Sequence, residues 1–239
     1  MALPFFYCSG YDPAQKNLIL DEETSRHVVQ VLRMKEGEEL HLTDGKGHLG
    51  LCSITDANKK HCSVAITKTT FKPSAARKVT IAISLVKNNN RFEWFLEKAT
   101  EVGVAEIIPL LCERTEKERF RHDRMNAICI SAMLQSQQVW LPVLQEPQTF
   151  AEVITATGSS VKYIAHCLEG RKSALPANAS DVSSIMLIGP EGDFTPAEID
   201  TAIAKGFMPV TLGETRLRTE TAGIVTAVWL VQAPSRISE

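Results

Sequence analysis

Two short apolar runs near the C-terminus, each ending in a glycine-bearing loop that opens a helix, constrain this chain more than any other feature. Ile185-Met186-Leu187-Ile188 runs into Gly189-Pro190-Glu191-Gly192-Asp193-Phe194, and further on Leu212-Gly213 leads to Leu217-Arg218-Thr219-Glu220-Thr221-Ala222. An unbroken apolar run of strand length fits a strand covered on both faces, as in parallel sheets. Repeated strand–loop–helix units on one parallel sheet place their exposed backbone amides at the same edge, where open α/β sheets bind ligands. Two glycine loops carrying charged residues, Glu191 and Arg218, therefore mark a binding site.

The helix starts follow from single residues. Thr195, Pro196 and Glu198 spell a capping box with proline at the first helical position, where its missing N–H is no loss. The helix 196–205 stops at Gly206, a common C-terminal signal. Thr219 is placed to cap a second helix, 220–232, with Glu220 in its first turn at the positive helix end. Caps alone are equally consistent with ordinary α/β punctuation.

Upstream, residues 1–72 read as a small β domain and 73–239 as an α/β domain. Asn17–Leu20, Glu38–Thr43, Leu49–Ile54 and Ser63–Thr67 are strand-like, with a hairpin signal at Asp44-Gly45-Lys46-Gly47. A helix near Thr24–Met34 would bury Val28, Val31 and Leu32 and present Arg26, Gln30 and Arg33 on its other side, toward RNA phosphates or merely toward water. After Phe71–Lys78, strands Val79–Val86, Glu106–Leu111, Lys162–Cys167, Ile185–Ile188 and Pro209–Leu212 alternate with helices at 92–102, 123–138, 149–156, 196–205 and 220–232. That alternation means a parallel sheet with helices on both faces.

The formal charge of −2 conceals an asymmetry. Residues 57–92 contain no acid, although the chain's average would place about four there. They carry Lys59, Lys60, Lys68, Lys72, Arg77, Lys78, Lys87 and Arg91. An acid-free basic band on an otherwise acidic chain is the footprint of a polyanion, or a lopsided solvated surface. The loop 113–124, with Arg114, Lys117, Arg119, Arg121 and Arg124 among acids, leaves the same choice open. No apolar run approaches a membrane span and no basic leader precedes an apolar core, which points to a soluble cytoplasmic protein. The six cysteines include no C-x-x-C pair, so neither a zinc site nor a disulfide framework is indicated and no metal is expected.

Together these motifs resemble the ribosomal small-subunit (16S) RNA uridine-N3 methyltransferases of the SPOUT class. The likeness spans nearly the whole chain. His27-Val28-Val29-Gln30-Val31-Leu32-Arg33 is similar to that family's H-x-x-x-V-L-R motif, Glu97-Lys98-Ala99-Thr100-Glu101-Val102-Gly103 to its helix, and Ile108-Pro109-Leu110 with Glu113-Arg114 to its strand and loop. The resemblance implies a PUA-like β-barrel that grips RNA, a C-terminal domain with a deep trefoil knot, S-adenosyl-L-methionine as cofactor, 16S rRNA or the 30S subunit as partner, and a homodimer. Leu187, Ile188, Gly189, Pro190, Glu191, Gly192, Leu212, Gly213, Leu217, Arg218, Thr219, Thr221 and Ala222 would hold the cofactor. Arg26, Arg33, Lys72, Arg77, Lys78, Arg91 and Arg114 would contact RNA.

Two departures stand out. Asp193 occupies the place of the last glycine in the family's G-P-E-G-G loop, and Ala132-Met133-Leu134-Gln135-Ser136-Gln137-Gln138 lacks the glutamate and arginine of the family's A-x-E-Q-S/C-G-R sequence. Methylation at N3 of uridine requires removal of its proton and stabilisation of the resulting anion. Arg218 suits the second role; Glu220 or Glu191 suits the first, although a glutamate at a helix start also serves the dipole. N3 lies on the Watson–Crick edge, so the target base must be unpaired. The competing readings are methylation at another RNA site, a ribose 2′-OH or tRNA, and a non-catalytic RNA-binding assembly factor.

Overall fold

The computed structural model describes residues 3–116, 119–159, 161–170, 172–176 and 182–232. Two compact units emerge, one comprising the residues up to Ser74 with Met133–Leu141, the other Ala75–Ala132 with the chain from Pro142 onward.

The first unit is a five-stranded sheet of β1 (Phe5–Tyr7), β2 (Asn17–Ile19), β3 (Glu39–Thr43), β4 (His48–Asp56) and β5 (Ser63–Phe71), in the order β1-β3-β4-β5-β2. Its pairs are antiparallel except β1 with β3. β1 carried no sequence signal beyond a short aromatic run. Alternation along β3 and β4 sends Leu40, Leu42, Cys52 and Ile54 into a core shared with Phe6, Leu20, Val28 and Val64. Buried Ser25 ties the helical segment to the sheet, its hydroxyl donating to the Leu20 carbonyl and accepting the Cys62 N–H.

That helical segment departs from expectation. The helix starts two residues before Thr24, with Asp21 capping α1 (Glu22–Arg26), and the chain then widens into a π-helical turn over His27–Val31. The extra residue in that turn rotates the register, so Val28 is buried while Val31 and Leu32 face solvent at 66% and 43% exposure. Arg33 closes the segment in the left-handed region, at φ 57°.

Residues 133–141 join this unit through backbone contacts with the β3–β4 hairpin. The Gly47 N–H donates to the Val139 carbonyl, the Leu141 N–H to the Gly45 carbonyl, and the Trp140 indole to the Lys72 carbonyl. Gln137 stands at φ 54° just after the helix that ends at Gln135, and Gln138 Nε2 donates to the Ser136 hydroxyl. The glutamine-rich departure thus builds the turn that closes that helix.

The second unit is an eight-stranded parallel sheet. β6 (Val79–Ser84), β7 (Glu106–Leu111), β8 (Val143–Leu144), β10 (Val161–Ala165), β11 (Ser173–Ala174), β12 (Ser184–Ile188) and β13 (Met208–Thr211) run in the order β11-β13-β10-β12-β6-β7-β8, and β9 (Gln148–Thr149) pairs with β7. The helices are α2 (Asn89–Val102), α3 (His122–Gln135), α4 (Phe150–Ala156), α5 (Pro196–Ala204) and α6 (Thr219–Gln232). On one face α4 and α5 cover Ala82, Ile108, Leu110, Ile164, Ile185 and Leu187. On the other, α6 lies against β6 and α2.

Helix ends follow the expected chemistry at α5, where Thr195 and Glu198 form a complete capping box, and α4 carries a second one from Thr149 and Glu152. At α6 the expectation is corrected. The Arg218 carbonyl accepts the Ala222 N–H, which makes Arg218 the cap residue, and the Thr219 hydroxyl instead donates to the Gly189 carbonyl at 3.0 Å.

Gly223 sets how closely α6 approaches the sheet. A Cβ there would stand 2.6 Å from Phe95 and 2.8 Å from Ile83. Gly223→Ala should therefore destabilise the protein by about 1–3 kcal/mol through overpacking, despite alanine's better helix propensity, as read by urea unfolding.

Candidate functional site

β10, β12 and β13 are neighbours, and all three end at the same edge of the sheet. Their loops enclose a cavity of about 590 Å³, within the roughly 300–1,000 Å³ usual for small-molecule sites. The β12 loop contributes Ile188, Gly189, Pro190, Glu191 and Asp193; the β13 loop contributes Val210 through Thr219; Ala222 adds a surface from α6. The β10 end supplies Ala165, His166 and Cys167, and Lys172 follows.

Most of the expected cofactor residues gather here: Ile188, Gly189, Pro190, Glu191, Leu212, Gly213, Leu217, Arg218, Thr219 and Ala222. Three do not line the cavity. Leu187 alternates with Ile188 and points into the α4–α5 core. Gly192 turns its carbonyl to Arg114, and Thr221 sits further along the helix surface. The β10 residues and Lys172 were missed: 162–167 reads as a strand, but its place between β12 and β13, which brings its end to the same edge, is set by sheet order and not by local spacing.

The β12 loop is held at four points. The Gly189 carbonyl accepts the Thr219 hydroxyl, Glu191 Oε1 accepts the Lys87 N–H at 3.1 Å, the Gly192 carbonyl accepts Arg114 at 2.8 Å, and Asp193 Oδ2 accepts the Cys167 N–H at 2.7 Å. A Cβ on Gly189 would stand 3.1–3.2 Å from the Phe194 ring and amide, so a side chain there would have to push Phe194 aside. Asp193 stands at φ 63°, which explains why a glycine is an alternative there.

Of the three catalytic candidates, Arg218 and Glu191 line the cavity and Glu220 does not. Arg218 is exposed and makes no ion pair among the described residues. Glu220 is buried, at 7% exposure, 3.7 Å from the Arg91 guanidinium. Burial and the nearby Lys172 charge push the His166 imidazole below its ordinary pKa, against the opposing pull of Asp193.

The RNA candidates divide. Lys72, Lys78, Arg26 and Arg33 are exposed, Arg26 with a surface pair to Glu22. Arg77 donates to the Val231 carbonyl at the end of α6, Arg91 faces Glu220, and Arg114 holds the β12 loop. Those three have partners within the fold. Lys117, in the charged loop, lies outside the described residues.

Residues 73–231 match the model of an RNA methyltransferase domain family and residues 20–67 that of an RNA methyltransferase PUA domain. The chain is 31% identical over 212 residues to "Ribosomal RNA small subunit methyltransferase E" of Synechocystis, spanning 83% of this chain and 67% of that one. Among solved structures it is similar to a probable rRNA-methyltransferase from Porphyromonas gingivalis (TM-score 0.88, 38% identity, 97% and 98% of the two chains). It is similar also to a ribosomal RNA small subunit methyltransferase E from Neisseria gonorrhoeae bound to S-adenosyl methionine (TM-score 0.84, 27% identity, 95% of each chain).

Gly213, at φ 132° on the cavity wall, offers bare backbone in a conformation that other residues resist. Gly213→Ala should destabilise the protein by about 1–3 kcal/mol in urea unfolding, through strain on this loop.

Proposed function

This chain belongs to the RNA methyltransferase family, and from that premise we propose that it methylates N3 of a uridine in 16S rRNA, using S-adenosyl-L-methionine. The carrying observation is the cavity at the β10–β12–β13 edge, built from two glycine loops. Its walls suit that cofactor. Ile188, Val210, Leu212, Leu217 and Ala222 offer apolar surface for an adenosine, the backbone around Gly213 offers polar groups, and Glu191 and Glu214 bring negative charge toward a sulfonium. When bound, the cofactor supplies an electrophilic methyl group.

The chain must then orient the base, take up the N3 proton and stabilise charge on O2 and O4. Arg218 is assigned to the last of these because it lines the cavity without an ion-pair partner among the described residues. Glu191 is the better placed proton acceptor: it lines the cavity, and its Oε1 is engaged by a neutral donor, the Lys87 amide. Glu220, buried against Arg91, fits the role of orienting the start of α6. Lys72 and Lys78 are assigned to phosphates of an unpaired rRNA segment, whereas Arg77 serves the end of α6. The motif resemblance implies a homodimer acting on rRNA or the 30S subunit in the cytoplasm, and we propose both. It also supports a knotted path, in which α6 follows β13 yet packs on β6 and α2. Among the described residues no helix is long and apolar enough to cross a membrane.

Mapping 16S rRNA by reverse transcription, from cells with and without the protein, tests the reaction. A uridine-specific stop that depends on the protein is expected, because N3 methylation blocks pairing; a change confined to ribose 2′-OH groups or to tRNA would sink this assignment. Arg218→Ala should lower kcat by about a hundredfold, the scale for losing one group that stabilises a developing anion, with cofactor affinity within about threefold. Charge reversal at Lys72 and Lys78 should weaken RNA binding by about tenfold or more at moderate salt while leaving cofactor affinity unchanged.

A further inference from the structure

The carbonyl of His166 and the N–H of Cys167 belong to one peptide unit, and two opposite charges grip it. Lys172 Nζ donates to the His166 carbonyl at 3.0 Å, and Asp193 Oδ2 accepts the Cys167 N–H at 2.7 Å. All four residues line the cavity. The positive group meets the negative end of the peptide dipole and the negative group its positive end, so each bond polarises the peptide in favour of the other. Both bonds are charge-assisted, the stronger class of hydrogen bond.

We propose that Asp193 and Lys172 clamp the 166–167 peptide and so position the β10 loop as the third wall of the methyl-donor site, making Asp193 a determinant of cofactor affinity. This rests on the reading of the cavity as that site. Asp193 is itself held in place, since its Oδ1 accepts the Phe194 N–H at 2.8 Å and its own N–H donates to the Pro190 carbonyl at 2.9 Å. Its two carboxylate oxygens therefore join the β12 loop to the β10 loop directly. The cost is a non-glycine residue at φ 63°. A glycine would relieve that strain but leave the Cys167 amide without its acceptor. Stability and cofactor affinity should therefore move in different directions, which a merely structural residue would not produce.

Wild-type protein is compared with its Asp193→Gly, Asp193→Asn and Lys172→Met variants, with S-adenosylmethionine titrated calorimetrically and turnover measured on rRNA. Asp193→Gly should bind the cofactor about tenfold more weakly, with KM raised, kcat at saturation unchanged and the melting temperature equal or higher. Asp193→Asn keeps a carbonyl acceptor and tolerance for the left-handed backbone but loses the charge, so its affinity should fall between wild type and Asp193→Gly. Lys172→Met should weaken binding, and the double variant with Asp193→Gly should lose less than the product of the single losses, because both act on one peptide. Amide exchange at Cys167, slow in the cofactor-free wild type, should become fast in Asp193→Gly. Wild-type affinity in Asp193→Gly, an equal loss in Asp193→Asn, or a loss in kcat with KM unchanged would each overturn the clamp. Failure of the wild type to bind the cofactor, with or without RNA, would remove the reading of the cavity itself, and the clamp with it.

Discussion

The anchoring of the β12 loop is the arrangement on which the site depends. Four successive parts of this loop are engaged by four different segments: the start of α6 through Thr219, the β6–α2 loop through Lys87, the β7 loop through Arg114 and the β10 loop through Cys167. Even the nearest of these contacts spans 26 residues of chain. Each bond is modest alone, because folding exchanges it for bonds to water. Together they fix a short stretch of backbone in one conformation before any ligand arrives. A loop ordered in advance loses little entropy on binding, so more of the contact energy appears as affinity.

This arrangement also explains what was legible in the sequence. Glycine loops after buried strands announced two of the three cavity walls, because backbone recognition requires those glycines and tight turns. The third wall has no such requirement. His166 and Cys167 follow β10 with ordinary side chains, and what holds them is a peptide group that any sequence would supply. Their position depends on Lys172 and Asp193, and neither pairing follows a local spacing rule. Glu220 is a related case: its place in the first turn was readable, but whether it faced the cavity or α2 depended on how α6 rotates. That rotation is set by Gly223 against Phe95 and Ile83.

Near the N-terminus, the helical periodicity predicted Val28, Val31 and Leu32 on one buried face. The π turn over His27–Val31 inserts an extra residue per turn, and a pattern of period 3.6 does not survive that change. Only Val28 remains in the core. The family-like motif His27–Arg33 thus coincides with the place where regular helical geometry breaks, leaving Val31, Leu32 and Arg33 exposed together.

The acid-free basic band illustrates how far composition can be taken. Counted as charge, its eight cations are equivalent; placed in the fold, they are not. Arg77 meets the carbonyl end of α6, Lys87 pairs through Nζ with Glu116, and Arg91 faces buried Glu220. A cation engaged at a helix end or opposite a buried carboxylate cannot move to a phosphate without leaving a group behind it uncompensated. Lys59, Lys60, Lys68, Lys72 and Lys78 are exposed and have no ion pair among the described residues. Lysine is suited to that duty, since a flexible point charge can follow a phosphate backbone without demanding one geometry. Both arginines of the band and Lys87 are engaged within the fold, so the proposed hold on a polyanion rests on the five remaining lysines.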